Sequence, residues 1–217
     1  MTDIVFKEKY VSAELLAKIR SYIDKTNDKL VGGPIIRHVE TGSDLMKEGG
    51  ADRPPRLENI DNPIHDLISL LKEDFGNFYI HTCSIRYLYY PYSPHTDVRS
   101  NEELIKNRKN YKHGYTFIIP LSWKSGCNPG TTFFDSPPKE GQELYVEQQN
   151  VLPKMQKESR NKNFGVKRLV PWKNPGDLVA WMNYQYHGSL MNKDYPYNDN
   201  EWCKEFISIE TFRYKDL

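Results

Sequence analysis

The sequence predicts an α+β domain in which two helices precede a core of two facing antiparallel sheets. Three observations predict it. Apolar residues recur at helical spacing only in the first third of the chain. From Phe78 onward the apolar segments are short, β-branched or aromatic, and bounded by Gly, Pro, Asn or Asp. The length, 217 residues, suits one domain with a real core and is too short for two ordinary enzyme domains. Helices followed by a run of strands fit a sandwich or a double-stranded β-helix (jelly-roll) core, because such a core buries two apolar sheet faces against each other.

Taken in order, Asp3 to Tyr10 alternates as a short strand. Ser12 then N-caps a helix through Lys29 that carries Leu15, Leu16, Ile19 and Ile23 on one side. Leu30 to Pro55 contains Gly32-Gly-Pro and Arg53-Pro-Pro-Arg and reads as a long irregular connection. A second helix runs from Asn62 to Phe75, with Pro63 in its first turn and Ile64, Leu67, Ile68 and Leu71 on one face. Both helices are expected to buttress one outer face of the core. Strands follow at Tyr79 to Tyr90, Tyr115 to Leu121, Thr131 to Phe134, Val166 to Val170, Leu178 to Met182 and Phe206 to Tyr214. Ile118, Phe133, Leu178 and Ile207 are core candidates. Ser136 to Asn163, polar and of mixed charge, reads as an insertion, either a substrate lid or a solvated excursion.

A formal net charge of +1 offers no bulk attraction to nucleic acid or to an anionic membrane. No uncharged run spans a bilayer and the N-terminus lacks the apolar core of a signal peptide, so the expected location is cytoplasmic. Cys83, Cys127 and Cys203 are an odd, scattered three, which argues for reduced packing thiols rather than a disulfide framework or a structural zinc site.

The chemistry concentrates in Tyr87-Leu-Tyr-Tyr-Pro-Tyr-Ser-Pro-His95-Thr-Asp97. Residues i and i+2 of an extended segment share a face, so the His95 imidazole and the Asp97 carboxylate can converge on one ion. A third ligand is His187, which the apolar strand after Gly176-Asp177 delivers to a loop. Two His and one carboxylate on a facial set leave positions open on an octahedral ion, an arrangement diagnostic of non-haem Fe(II) oxygenases. The bland alternative is a polar Pro-His-Thr-Asp turn with no metal. His38, His65, His81 and His113 lack comparable context and read as surface or packed histidines.

With these residues placed, the chain from about Phe78 to Tyr214 resembles the Fe(II)/2-oxoglutarate-dependent dioxygenase superfamily. The likeness rests on an aromatic strand before His95-Thr-Asp97, on Tyr115-Thr-Phe-Ile-Ile-Pro-Leu-Ser, on Gly130-Thr-Thr-Phe-Phe-Asp135, and on Pro175-Gly-Asp-Leu-Val-Ala-Trp181 before the distal histidine, in that order. The resemblance implies an enzyme holding Fe(II) through His95, Asp97 and His187. It also implies 2-oxoglutarate as cosubstrate and O2 as oxidant, with release of succinate and CO2 and hydroxylation or a related oxidation of the substrate.

The family's basic residue for the far carboxylate of 2-oxoglutarate, often in Arg-x-Ser, is replaced here by Phe206-Ile-Ser208. Lys204, two residues earlier on the same strand face, is the first substitute, with Arg86 and Arg213 as alternatives. Ser208, Tyr90 and Thr116 are candidates for further hydrogen bonds to the cosubstrate's carboxylates. Two other functions stay open: a cupin-like metal dioxygenase that does not use 2-oxoglutarate, and a non-catalytic β-sandwich binding module. The substrate, a small molecule or a peptide side chain, is read by loops and has no code in the sequence.

Overall fold

The computed structural model describes residues 4–25, 36–38, 63–88, 97, 111–134, 166–190, 192, 194–196 and 201–214. Their elements, in chain order, are β1 (Ile4–Lys7), α1 (Ala13–Lys25), β2 (Ile36–His38), α2 (Ile64–Phe75), β3 (Tyr79–Leu88), β4 (Tyr111–Trp123), β5 (Gly130–Phe134), β6 (Val166–Pro171), β7 (Leu178–Met182), β8 (His187–Ser189) and β9 (Lys204–Tyr214). No helix among them is long and apolar enough to cross a membrane.

Local chemistry sets the helix ends. The Leu15 N–H donates to Ser12 Oγ at 3.2 Å, so α1 starts on the serine cap. Pro63 precedes α2, where a missing N–H removes no helical bond. Gly76, at φ +76°, ends it by donating its N–H to the Lys72 carbonyl.

Strands pair antiparallel in two sheets, a large one in the order β1-β7-β4-β9-β3-β2 and a small one in the order β6-β5-β8. After β4 the chain crosses to the small sheet for β5 and β6, returns for β7, crosses again for β8 and returns for β9. Period-two alternation then gives each strand of the large sheet two different faces. One face shares a hydrophobic cluster with the helices, in which Ile19, Ile23, Ile64, Leu67 and Leu71 meet Phe117, Ile119, Leu178, Ile207 and Ile209. The other packs on the small sheet, where Ile118, Val179, Trp181 and Phe206 meet Phe133, Val170 and Trp172. All four core candidates are buried, Ile118 and Phe133 between the sheets and Leu178 and Ile207 on the helix side. Arg20 Nη1 of α1 donates to both carboxylate oxygens of Glu205 of β9 at 2.8 and 2.6 Å, and Ser122 donates to the same buried carboxylate at 2.7 Å.

Beyond shifts of a few residues at strand ends, these assignments differ from the sequence expectation. Ile36–His38, inside the segment read as an irregular connection, is a strand paired with β3, Ile36 opposite Arg86 and His38 opposite Ser84. Three residues between Gly- and Pro-rich flanks are too few to show a period. His187 stands on β8, opposite Phe133 of β5, and not on a loop. β9 begins at Lys204, two residues before Phe206. β4 runs from Tyr111 to Trp123, longer at both ends than expected, and is interrupted rather than ended by its Gly and Pro. A Cβ at Gly114 would lie 2.3 Å from the Thr211 carbonyl oxygen, so glycine there permits close approach to β9. Pro120 has no N–H to give in a strand flanked on both sides, and the register with β9 shifts between Pro120 and Ser122. The Ser136 to Asn163 insertion lies outside the described residues.

Candidate active site

The corner between β7 and β8 builds the site. Its Gln185 N–H donates to the Met182 carbonyl at 2.8 Å, and the Asn183 N–H donates to the Gly114 carbonyl at 3.1 Å. Two outward carbonyls of this corner then orient two side-chain-bearing residues. The Asp97 N–H donates to the Asn183 carbonyl at 3.1 Å, and His187 Nδ1 lies 3.0 Å from the Gln185 carbonyl. A carbonyl only accepts, so Nδ1 carries the hydrogen and Nε2 presents its lone pair.

That lone pair faces a carboxylate. His187 Nε2 is 3.7 Å from Asp97 Oδ1, beyond hydrogen-bond length, with side chains 8% and 7% exposed. Thr116 donates its hydroxyl to Asp97 Oδ2 at 2.7 Å, which fixes the carboxylate and turns Oδ1 toward the imidazole. An imidazole nitrogen and a carboxylate oxygen held side by side at low exposure are a donor set that suits a divalent transition ion. Trp181 packs on the His187 ring, centroids 4.5 Å apart. Among the described residues no group of three His, Cys, Asp or Glu side chains is placed to hold an ion. His95, the expected third ligand, lies outside the described residues, as does Tyr90.

Asp97, Thr116 and His187 line an open cleft between the sheets, and Lys204, Ser208 and Arg86 line it too. Lys204 is 3% exposed. Its ammonium donates to Ser189 Oγ at 2.9 Å and sits 4.9 Å over the Trp172 ring. Burial lowers its pKa from the usual 10.5 to about 8. Arg86 is already engaged, donating from Nε to Ser84 Oγ at 3.1 Å and from Nη2 to Glu210 Oε1 at 3.0 Å. Thr116, expected to address the cosubstrate, gives its hydroxyl hydrogen to Asp97 instead. Arg213 is not among the cleft's lining residues: its guanidinium lies 4.3 Å over the Tyr115 ring, on a side chain that packs with the helix-facing cluster.

Sequence reasoning missed Ser189, Gln185, Asn183, Trp172 and Glu210. Ser189 and Gln185 flank His187 at i+2 and i−2 and so share its face, a signal the sequence carries once β8 is read as a strand. Trp172 reaches the cleft wall and Glu210 reaches Arg86 only once distant segments have folded together, and neither leaves a local trace. The Pro175-Gly-Asp turn also has a definite role. Gly176 has φ +82°, and its backbone exchanges hydrogen bonds with Val11 and Pro120. The Asp177 carboxylate accepts the N–H groups of Lys9, Lys173 and Asn174 at 2.8 to 2.9 Å, so the turn aims β7 at the corner.

No family model matches the sequence, and no curated protein matches it. Solved structures do. The chain is similar to the non-haem α-ketoglutarate-dependent epimerase SnoN of nogalamycin biosynthesis, with TM-score 0.50 and 11% identity over 98% of this chain and 78% of that one. It is similar also to the carbocyclase SnoK of the same biosynthesis, non-haem and α-ketoglutarate-dependent as well, with TM-score 0.50 and 11% identity over 97% and 79%. AviO1 from Streptomyces viridochromogenes Tue57 aligns at TM-score 0.47 and 14% identity over 98% and 90%. The chain thus has the fold of SnoN and SnoK. At this identity the likeness carries the fold and leaves the reaction to be argued from the site.

Proposed function

We propose that the chain is a non-haem Fe(II) oxygenase that uses 2-oxoglutarate and O2 to oxidise, by hydroxylation or a related reaction, a small molecule or a peptide side chain. Its core is a double-stranded β-helix whose outer face carries α1 and α2. The observation that most supports this reading is one cleft holding the Asp97–His187 pair and a buried ammonium, Lys204, that meets no carboxylate among the described residues. Metal binding alone does not call for that second feature. A dicarboxylate cosubstrate does.

His95, Asp97 and His187 are the proposed ligands. When bound, the ion supplies the redox chemistry that couples oxidative decarboxylation of 2-oxoglutarate to oxidation of substrate carbon. The chain's own residues prepare for it. The Gln185 carbonyl keeps the His187 proton on Nδ1 and leaves Nε2 as the ligating atom. Thr116 holds Asp97 in one rotamer. Lys204 takes the far carboxylate of 2-oxoglutarate through its contact point at Ser189, which lies two residues, about 7 Å of strand, from His187. That span would suit a five-carbon diacid. Ser208 adds a hydroxyl from the cleft wall, while Trp172 and Phe206 keep water from the ammonium.

Anaerobic addition of Fe(II) and 2-oxoglutarate is expected to produce a metal-to-ligand charge-transfer band, and O2 then to release succinate. His187→Ala removes both. Iron binding without the band or succinate would move the reading to a metal dioxygenase that does not use 2-oxoglutarate. No binding of Fe(II) or Mn(II) would end the oxygenase reading.

A further inference from the structure

We propose that Arg86 anchors a carboxylate carried by the substrate, a proposal that rests on the oxygenase reading and gives its substrate a chemical class. The cleft has a second cation besides Lys204, and the two face different ways. Lys204 crosses to the small sheet, to Ser189. Arg86 stays along the large sheet, with Nε on Ser84 and Nη2 on Glu210. Glu210 stands opposite Thr116 in the β4–β9 register, and Thr116 holds Asp97. The guanidinium end is therefore two side chains from the proposed metal pair, beside the place where oxidation would occur.

Arg86 retains binding capacity. A guanidinium has five N–H donors, and these two contacts leave three, two of them on Nη1. Its side chain is 17% exposed and lines the cleft. Two contacts pin the fork and lower the entropy lost when it takes a planar, two-oxygen group. The Glu210 partner matters equally. Among the described residues Lys204 meets no carboxylate and suits the cosubstrate, whereas Arg86 is offset by Glu210 at 3.0 Å. An offset guanidinium holds a monoanion weakly and reversibly, as a group that must enter and leave at each turnover requires. It disfavours a phosphate dianion, which would meet Glu210.

The probe is 4-fluorobenzoate, an aromatic monocarboxylate followed by fluorine NMR, with 4-fluorobenzamide and inorganic phosphate as comparators. Protein is loaded with Zn(II) and N-oxalylglycine so that the Lys204 end is filled. Fluorobenzoate should bind the parent at least about tenfold more tightly than the amide or phosphate. Arg86→Met should weaken it by about tenfold or more, while 2-oxoglutarate still gives its charge-transfer band at near-parent concentration. Arg86→Met leaves Glu210 without its cation, so Arg86→Met/Glu210→Met, which replaces the whole pair by apolar groups, is the companion variant and should show the same loss. Repeating the titration on metal-free Lys204→Met protein reads Arg86 independently of cosubstrate and metal, so a failed oxygenase reading and a failed Arg86 site give different results. Equal fluorobenzoate affinity with and without Arg86, tighter binding of the amide or of phosphate, or loss of 2-oxoglutarate binding in the Arg86 variants overturns the proposal.

Discussion

Replacing Lys204 by Met separates two effects that usually run together, because the residue should weaken the empty protein while strengthening the complex. Its pKa falls from the usual 10.5 to about 8 through burial, and a fall of that size corresponds to about 3 kcal/mol against the charged form at neutral pH. The Ser189 hydrogen bond and the Trp172 contact are lost with the ammonium, at about 1 kcal/mol in total, so Lys204→Met should stabilise the free protein by about 2 kcal/mol. In a chain of this length that is about 4 to 8 °C in Tm at pH 7. The sign with pH follows from proton counts. The unfolded lysine holds its proton up to about 10.5 and the folded one only to about 8, so between these values the unfolded state binds more protons and stability rises with pH. Lys204→Met should lack that rise. Its affinity for 2-oxoglutarate should fall a hundredfold or more, from loss of a buried charged contact at about 3 to 5 kcal/mol. In the parent the same affinity should decline above about pH 8, where the free cleft loses the ammonium. Scanning fluorimetry from pH 7 to 10 and anaerobic titration of the charge-transfer band measure both. A variant that melts lower than the parent at pH 7 and still binds 2-oxoglutarate within threefold would refute the assignment.

Other substitutions probe the remaining supports. Asp97→Asn and His187→Ala should abolish Mn(II) binding, followed by electron paramagnetic resonance, with Tm little changed because neither side chain holds the sheets together. Thr116→Val removes the hydroxyl that fixes Asp97 and should weaken Mn(II) by about 10- to 100-fold. Glu205→Ala should act oppositely, destabilising by about 1 to 3 kcal/mol in urea by taking the buried carboxylate from Ser122 and from the partly exposed Arg20, with metal affinity unchanged.

Residues whose role depends on near neighbours in sequence were legible. Ser12 and Pro63 mark their helix starts, Phe133 and Ile207 their buried strand faces, and the Pro175-Gly-Asp turn the approach to His187. Asp97 and His187 were singled out for their chemistry and Lys204 for its strand parity with the missing arginine, and all three line one cleft. Roles created by pairing were not legible. Ser189 matters because β8 lies where the Lys204 ammonium can cross the cleft, and Glu210 matters because β9 carries it beside both Arg86 and Thr116. β2 and β8, three residues each, are strands because a longer neighbour offers an edge, and their own sequence is too brief to announce it. Gly114 and Pro120 would ordinarily argue against a long central strand. They are accommodated by two local register shifts that depend on β9.

The corner at 183–186 meets Asp97 and His187 through two main-chain carbonyls. Every amino acid brings the same carbonyl, so these two contacts do not require particular side chains in the corner, and Tyr184 there is 45% exposed. A lineage could change an exposed side chain of this corner while the two carbonyl contacts behind the central donors stayed in place. The arrangement lets sequence drift at the surface without moving the supports of the site.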